Sequence, residues 1–463
     1  MYKIVLKCGH IFRIAIGIMT ILSLIGGTHA ATITVNATGG ADYTNIQDAV
    51  NAANDSDSIL VAAGNYTENI NVNKSIYLIG EGAEVTAVNA NNSSSHVINI
   101  SNNNVVLNGF TIKGAVESNK AGIYVSKANN TSISNNSLIL NYNGINLYNS
   151  SNNNLTDNYI EVANEGIYLI NGASNTILRN TVLDSYDGIF SHRSFDNSFN
   201  GNNVSNNHYG IYLYSSQNNY LTDNIANSNE QLGIHLYYSG NNSLINNSVN
   251  SNNNQGIQIY GSGYNNLTEN TIKSNKNYGI YLYSTGNNSI YNNLFNNTEN
   301  FIISISGGNV WNVTGTPSMN IIGGPYQGGN FWANPSGTGF SQTCIDNDIN
   351  GICDSSYSIS SVDIDYLPLT ISGGYLNGTV TSNGSAVPGA YISTSGANTT
   401  SGANGTYSLI LPAGTYDLTV TKQPTHNDSM TAEIIVNPYN TTTVDIVLTQ
   451  KPTGTINGLV ANA

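Results

Sequence analysis

Two acidic residues, Glu165 and Asp187, each stand immediately before a glycine at equivalent places of a repeat, 22 residues apart. If successive repeats stack at the spacing of hydrogen-bonded strands, about 4.8 Å, the two carboxyl groups lie side by side, near the separation of a retaining glycosidase pair. His192 and Arg193 follow Asp187 in the same segment, with His192 on the outward strand face. Glu165, Asp187, His192 and Arg193 are the candidate catalytic set for hydrolysis or elimination on a polysaccharide. The plainer reading, preferred here, is an exposed irregular stretch with a surface ion pair.

A second constellation is aromatic. Tyr148, Tyr214, Tyr237, Tyr260 and Tyr283 share one place in the repeat, and Tyr124, Tyr168, Phe190, Tyr212 and Tyr281 share another. Outward aromatic rings stabilise a sheet by packing on one another. They can also present a flat platform to sugar rings or to a partner. The candidate ligand-binding residues are Tyr148, Tyr212, Tyr214, Tyr237, Tyr260, Tyr281 and Tyr283, with a polysaccharide or cell-envelope component as partner.

A third constellation is local. Asp346-Asn-Asp348-Ile-Asn350-Gly351-Ile352-Cys-Asp354 places oxygen donors at alternate positions, with the backbone carbonyl of Ile352 among them, and a glycine where the chain must turn sharply. That is the start of a calcium loop, so a structural Ca²⁺ is expected. Position twelve is Tyr357 rather than Glu, which leaves Asp363 and Asp365 to supply the missing carboxylate. Copper is not expected, because a copper site gathers His, Met or Cys, whereas His96, His192, His208, His235 and His426 are scattered.

The repeat that positions these groups is marked by Gly122, Gly144, Gly166, Gly188, Gly210, Gly233, Gly256 and Gly279, at spacings of 22 and then 23. After each glycine, apolar residues alternate with outward ones, as in Ile211/Leu213 and Ile280/Leu282. Period two means a strand with one buried face. Asn136, Asn158, Asn180, Asn202, Asn224, Asn247, Asn270 and Asn293 keep one register, and Asn153, Asn175, Asn197, Asn219, Asn242, Asn265 and Asn288 another. An amide both donates and accepts, so stacked Asn can satisfy one another where stacked carboxylates would repel. The expected fold class is all-β: a right-handed parallel β-helix of 22–23-residue coils followed by a small Ig-like β-sandwich.

The remaining composition fits. Of 463 residues only 9% are charged, Lys and Arg total 13, and the formal net charge is −14. So little positive charge excludes phosphate-driven nucleic-acid binding. Residues 1–30 combine Lys3, Lys7 and Arg13 with an apolar run, Ile14 to Ile25, too short to span a bilayer, and end on Thr28-His29-Ala30. This reads as a secretory signal peptide, with no membrane span after its removal and a secreted, extracellular cell-surface location. Export makes Cys344 and Cys353, with eight residues between them, an expected disulfide. It also opens N-x-S/T sequons such as Asn65, Asn154, Asn266, Asn312 and Asn404 to glycosylation.

The domains expected are the signal at 1–30, a cap and first coils at 31–118, regular repeats at 119–305, and the β-helix end with its disulfide and calcium loop at 306–370. A sandwich follows at 371–450, and 451–463 opens a second module. Thr44 to Gln47 reads as a capping box, starting a short helix through Ile46, Ala49, Val50 and Ala53 that plugs the first coil. Ile59–Ala62 and Ile76–Ile79 read as the first strands.

These residues carry a resemblance. Asp42-Tyr-Thr-Asn-Ile-Gln-Asp-Ala-Val50 and Val61-Ala-Ala-Gly-Asn-Tyr-Thr-Glu68 are similar to the starts of pectate-lyase-like chains. Gly328-Gly-Asn-Phe-Trp-Ala333, Asp346 to Tyr357 and Asp365-Tyr-Leu-Pro-Leu369 resemble the ends of NosD-like β-helices in archaeal surface proteins. Gly188 to His192 resembles a pattern of alginate-epimerase β-helices, except that Phe190 stands where their acid would be. Residues 371–450 look like carboxypeptidase regulatory-like modules. The resemblance implies a parallel β-helix. It leaves function divided among enzymes, binders and structural rods. A binding or structural role at the cell surface is the expectation, with a polysaccharide hydrolase or lyase as the alternative.

Overall fold

The computed structural model describes residues 30–452, apart from 347–349, 372, 396, 413 and 438–440. Residues 1–29 of the expected signal and 453–463 of the expected second module lie outside that set.

The chain winds into coils whose strands stack into three parallel sheets. Sheet A has 12 strands, from Thr32–Val35 to Ser289–Tyr291, and sheet C has 11, from Ile70–Val72 to Phe301–Ser304. Sheet B begins with six, from Gly64–Thr67 to Thr181–Leu183. It continues through single bridges joining Thr181, Asn203, Ile225, Ser248 and Thr271. The register predicted from the glycine spacing is the register formed: Ile145 pairs with Ile167, Ile167 with Ile189 and Ile189 with Ile211. Inward aliphatic residues such as Ile167, Leu169, Ile177 and Val182 are fully buried, so every coil contributes to one continuous core.

The repeat glycines mark a corner where backbone meets core. A Cβ on Gly166 would lie 2.1 Å from Val182 Cγ1 and 2.6 Å from the Gly188 carbonyl oxygen. No side chain fits there, which explains why the strand opens on glycine in coil after coil.

The N-terminal plug forms, with two differences from the sequence expectation. The helix spans Ile46–Ala52 and buries Ile46, Ala49 and Val50, but its N-cap is Asn45, which makes no side-chain cap bond. The cap comes from the next coil: Glu68 accepts the N–H groups of both Ile46 and Gln47 at 2.8 Å. One bidentate carboxylate satisfies two orphan donors and complements the positive end of the helix. The first strand is Thr32–Val35, which pairs with Ser58–Val61 and so precedes the strands expected to open the sheet.

At the other end, Trp332 stacks on Phe295 with ring centres 4.7 Å apart and closes the core. Cys344 and Cys353 form the expected disulfide. Beyond it, Gly373–Ser382 pairs antiparallel with Thr406–Pro412, and Gly414–Thr421 with Ser429–Val436. Leu376, Val380, Ile392, Leu411 and Val420 fill the core of this small β domain. Among the described residues no helix is long and apolar enough to cross a membrane.

Candidate functional site

The scaffold of the site is the Asn ladder. Asn158 donates its backbone N–H at 3.0 Å and its Nδ2–H at 2.9 Å to Asn180 Oδ1, and Nδ2 also donates to the Ile133 carbonyl at 2.9 Å. Asn180 treats Asn202 in the same way, and Asn202 treats Asn224. The second predicted ladder forms through Asn153, Asn175, Asn197 and Asn219. A third, beyond the two predicted, runs through Asn207, Asn229, Asn252, Asn275 and Asn297. Its signal was present in the same 22–23-residue spacing. These bonds lock each coil to the next and fix the outward positions of sheet C.

On sheet C, Glu165 is register-paired with Asp187, and Asp187 with Tyr209. Asp187 is only 6% exposed, and its Oδ1 is buried with no hydrogen-bond partner. Burial, and then the neighbouring Glu165 charge, push its pKa up to about 7. Burial also raises Glu165, against the hydrogen bonds from Asn164 and Asn143 that favour its charged form. Burial holds the Tyr168 phenol up at about 12, helped by the charges of Glu165 and Asp187. Tyr209 and Tyr212 are raised by burial with Asp187 contributing. The carboxyl pair is therefore set among Tyr168, Tyr209 and Tyr212.

His192 and Arg193 do not join it. His192 ends the strand that Asp187 opens, about 16 Å away at the rise of a strand, and is register-paired with Ile170 and Tyr214. Its ring stacks on Tyr214 at 4.9 Å, and burial lowers its pKa, with Arg193 adding to the effect. Arg193 is exposed in the following turn. Two other histidines touch the acid pair's tyrosines: His208, edge-on to Tyr209 at 4.7 Å, and the more deeply buried His235. His235 stacks on Tyr212 at 4.6 Å, and its Nε2 is buried without a partner. Burial lowers its pKa to about 4. It occupies the same repeat place as Tyr168, Phe190 and Tyr212, so alignment on the glycines was enough to find it.

The aromatic residues form columns, but not a flat platform. His192, Tyr214, Tyr237, Tyr260 and Tyr283 follow one another in register. Tyr237–Tyr260 and Tyr260–Tyr283 stack at 4.8 and 4.7 Å. In the neighbouring column Tyr168, Phe190 and Tyr212 stack at 4.9 Å each. Rings at coil spacing cover each other's faces, so most faces are spent within the column and ring edges and hydroxyls point outward. Tyr148 is parted from its column by Ile170, and Tyr281 from Tyr212 by His235 and Gln258.

In the acidic loop, Asp346 accepts the N–H groups of Asn350 at 3.1 Å and Gly351 at 2.8 Å, and Asn350 Oδ1 accepts that of Ile352 at 2.8 Å. Asp354 donates its N–H to the Ile345 carbonyl. Asp348 lies outside the described residues. Asp363 and Asp365 do not turn toward the loop. Asp363 accepts from Asn309 N–H and Ser360 Oγ, and Asp365 from Asn330 N–H, Leu367 N–H and Trp332 Nε1. Both are needed at the ends of Asn ladders. The histidines are held one by one: His96 on Tyr124, His192 on Tyr214, His235 on Tyr212, and His208 beside Glu230. Among the described residues no group of three or more His, Cys, Asp or Glu side chains is placed to hold a metal ion.

The comparisons with known proteins accord with this architecture. The sequence profile of a family described as periplasmic copper-binding protein (NosD) matches residues 50–219 and 193–337, and that of the carboxypeptidase regulatory-like domain matches 375–449. A cell surface glycoprotein of Methanothermus fervidus is 35% identical over 129 residues, 27% of this chain and 21% of the relative. The chain thus spans about a fifth of that protein's length. The mannuronan C-5 epimerase AlgE4 A-module of Azotobacter vinelandii is similar at 15% identity and a TM-score of 0.48, over 57% of this chain and 89% of that one. The catalytic domain of a GH87 alpha-1,3-glucanase is similar at 14% identity and a TM-score of 0.44, over 62% of this chain and 66% of that one. With the profile covering residues 50 to 337, the chain belongs to the NosD family and carries a carboxypeptidase regulatory-like domain after its coils.

Proposed function

We propose that this chain works outside the cell as a rigid rod whose sheet C contacts carbohydrate or another cell-envelope component. The observation that carries this reading is the in-register column from His192 through Tyr214, Tyr237 and Tyr260 to Tyr283. It offers a row of phenol hydroxyls at coil spacing on a scaffold that cannot flex between them. The contact is made by ring edges and hydroxyl groups with sugar hydroxyls. The printed name of the Methanothermus relative supports a surface location, as does the signal-like start of the sequence. A structural Ca²⁺ held by Asp346, Asp348, Asn350, Ile352 and Asp354 belongs to this reading on the sequence pattern alone, and copper does not. The test is retention on a panel of immobilised neutral and uronic polysaccharides. Tyr237→Ala with Tyr260→Ala lowers retention at least tenfold; equal retention by the variant, or none by the native protein, overturns the reading.

A second reading, a polysaccharide hydrolase or lyase, is favoured by one observation: the partnerless buried Oδ1 of Asp187 beside Glu165. In that reading Asp187, protonated near neutrality, is the acid and Glu165 the base or nucleophile. Tyr209, Tyr212 and His235 line the site in place of His192 and Arg193. Product release from the same panel that disappears in Asp187→Asn establishes it; no release from any member refutes it.

A further inference from the structure

N-linked modification requires an Asn with Ser or Thr two residues on, and an amide that reaches solvent. Eleven Asn in the regular coils, 119–305, meet the sequence rule. None of them lies on a strand of sheet C or in the turns that lead from sheet B into it. Those turns are not short of Asn: Asn229, Asn252, Asn253, Asn254 and Asn277 all stand there, and each lacks a hydroxyl residue at the required position. The sequons fall mainly along sheet A and the corners on either side of it. Asn241 and Asn287 stand two residues before sheet A strands, and Asn135 and Asn246 immediately follow such strands. All four are exposed, and all four sit at turn positions with φ between 53° and 58°; Asn246 Nδ2 donates to Asp223 Oδ1 of the preceding coil at 2.6 Å, an exposed bond that attachment would replace.

We propose that Asn135, Asn241, Asn246 and Asn287 carry N-linked glycans, so that the regular coils, 119–305, are coated along sheet A while their tyrosine-bearing sheet C stays bare. Transfer joins Asn Nδ2 to the anomeric carbon of an oligosaccharide. The bond from that carbon to a polyprenyl diphosphate carrier breaks, the carrier leaves with the electron pair, and the amide releases one proton. An oligosaccharide is wider than the ~4.8 Å between coils, so four attachments shade a large part of that side. The inference does not depend on the ligand proposed for sheet C, since it concerns where sugar is attached and not what is bound.

The test uses the full chain from a host that glycosylates exported proteins. Glycopeptide mass spectrometry shows sugar at the four Asn. Each of Ser137→Ala, Ser243→Ala, Ser248→Ala and Ser289→Ala removes one attachment. Gln255→Thr, which creates a sequon at exposed Asn253 in a turn entering sheet C, adds one. One-sidedness is read by hydroxyl-radical footprinting before and after enzymatic deglycosylation. Tyr220 on sheet A and Tyr264 in the turn before it, 58% and 68% exposed, become at least twofold more reactive. Tyr237 and Tyr260 change by less than a fifth. Absence of sugar at the four sites, or equal unmasking of Tyr237 and Tyr260, overturns the proposal.

Discussion

Replacing Asp187 with Asn tests the electrostatics of the acid pair without touching the fold. Burial, then Glu165, raise the Asp187 pKa from 3.8 to about 7, so the folded chain favours the protonated form. The native state holds one proton more than the unfolded state between those values. Stability therefore falls as pH rises through that window, by about 1.4 kcal/mol per unit. Relative to an unperturbed carboxyl the cost is about 1.7 kcal/mol at pH 5 and about 4 kcal/mol at pH 8. Below pH 3.8 it vanishes. Asn is neutral throughout and nearly the same shape, so Asp187→Asn is the more stable form at pH 8, and its advantage shrinks by about 2.6 kcal/mol on going to pH 5. Asp365, also raised to about 7 by its burial, titrates in the same range, so only the difference between the two proteins isolates Asp187. The assay is urea unfolding followed by circular dichroism at both pH values. Parallel curves, with the gap unchanged between pH 5 and pH 8, would falsify the reasoning.

Asn202→Leu leaves the Asn180 N–H and Nδ2–H without their acceptor, and the Ile177 carbonyl without a donor that now sits at 2.8 Å. The expected cost is about 3–6 kcal/mol. Because each coil touches only its neighbours, the loss shows as faster hydrogen exchange between residues 177 and 247, with the sandwich unchanged; uniform acceleration refutes it. His235, lowered to about 4 by burial, must stay neutral. It contributes stability above pH 6.5 that is lost as pH falls toward 4, and His235→Phe flattens that limb of the unfolding profile. Calcium at 100 times its dissociation constant stabilises a single site by about 2.7 kcal/mol. The melting temperature therefore rises on adding Ca²⁺, and Asp346→Asn with Asp348→Asn abolishes the response; an unresponsive native protein removes the metal.

Most of the coil was legible because one residue type per place does one job. Glycine marks the crowded corner, Ile and Leu the core, and Asn the ladders, and each repeats at a fixed interval. What was not legible came from contacts between places. Glu68 caps Ile46 and Gln47 from more than twenty residues away, so the local Thr44–Gln47 pattern suggested a box that does not form. Tyr237, Tyr260 and Tyr283 share a column in register, but spacing alone does not say that rings 4.7 Å apart will cover each other's faces. His192 looked like a partner of Asp187 because it is near in sequence. Along a strand, five residues is a long distance, whereas one coil is a short one, and that brings Tyr209 to Asp187 and His235 to Tyr212.

The ladders also distinguish the aspartates. In every ladder a donor pair on one coil points at Oδ1 on the next, so hydrogen bonding runs one way along the rod. It begins on plain backbone donors, as Phe110 N–H to Asn136 and Thr131 N–H to Asn153. The last Asn then needs an acceptor that asks for nothing beyond it. A carboxylate is acceptor-only, and two ladders end on one: Asn309 on Asp363, and Asn330 on Asp365. An Asp in mid-ladder would lack the Nδ2–H that feeds the next coil, which is why Asn fills the interior. Asp57 and Asp346 are likewise buried against backbone donors. Among the described residues Asp187 is the one buried aspartate with an oxygen left unbonded. Asp365 is raised as far by burial, but both its oxygens are bonded and it ends a ladder; the Asp187 carboxyl is buried with neither, which is inconsistent with packing alone. Such inconsistencies gather where a sequence serves function rather than stability, and that makes the Glu165–Asp187 pair the place on this rod to look for chemistry.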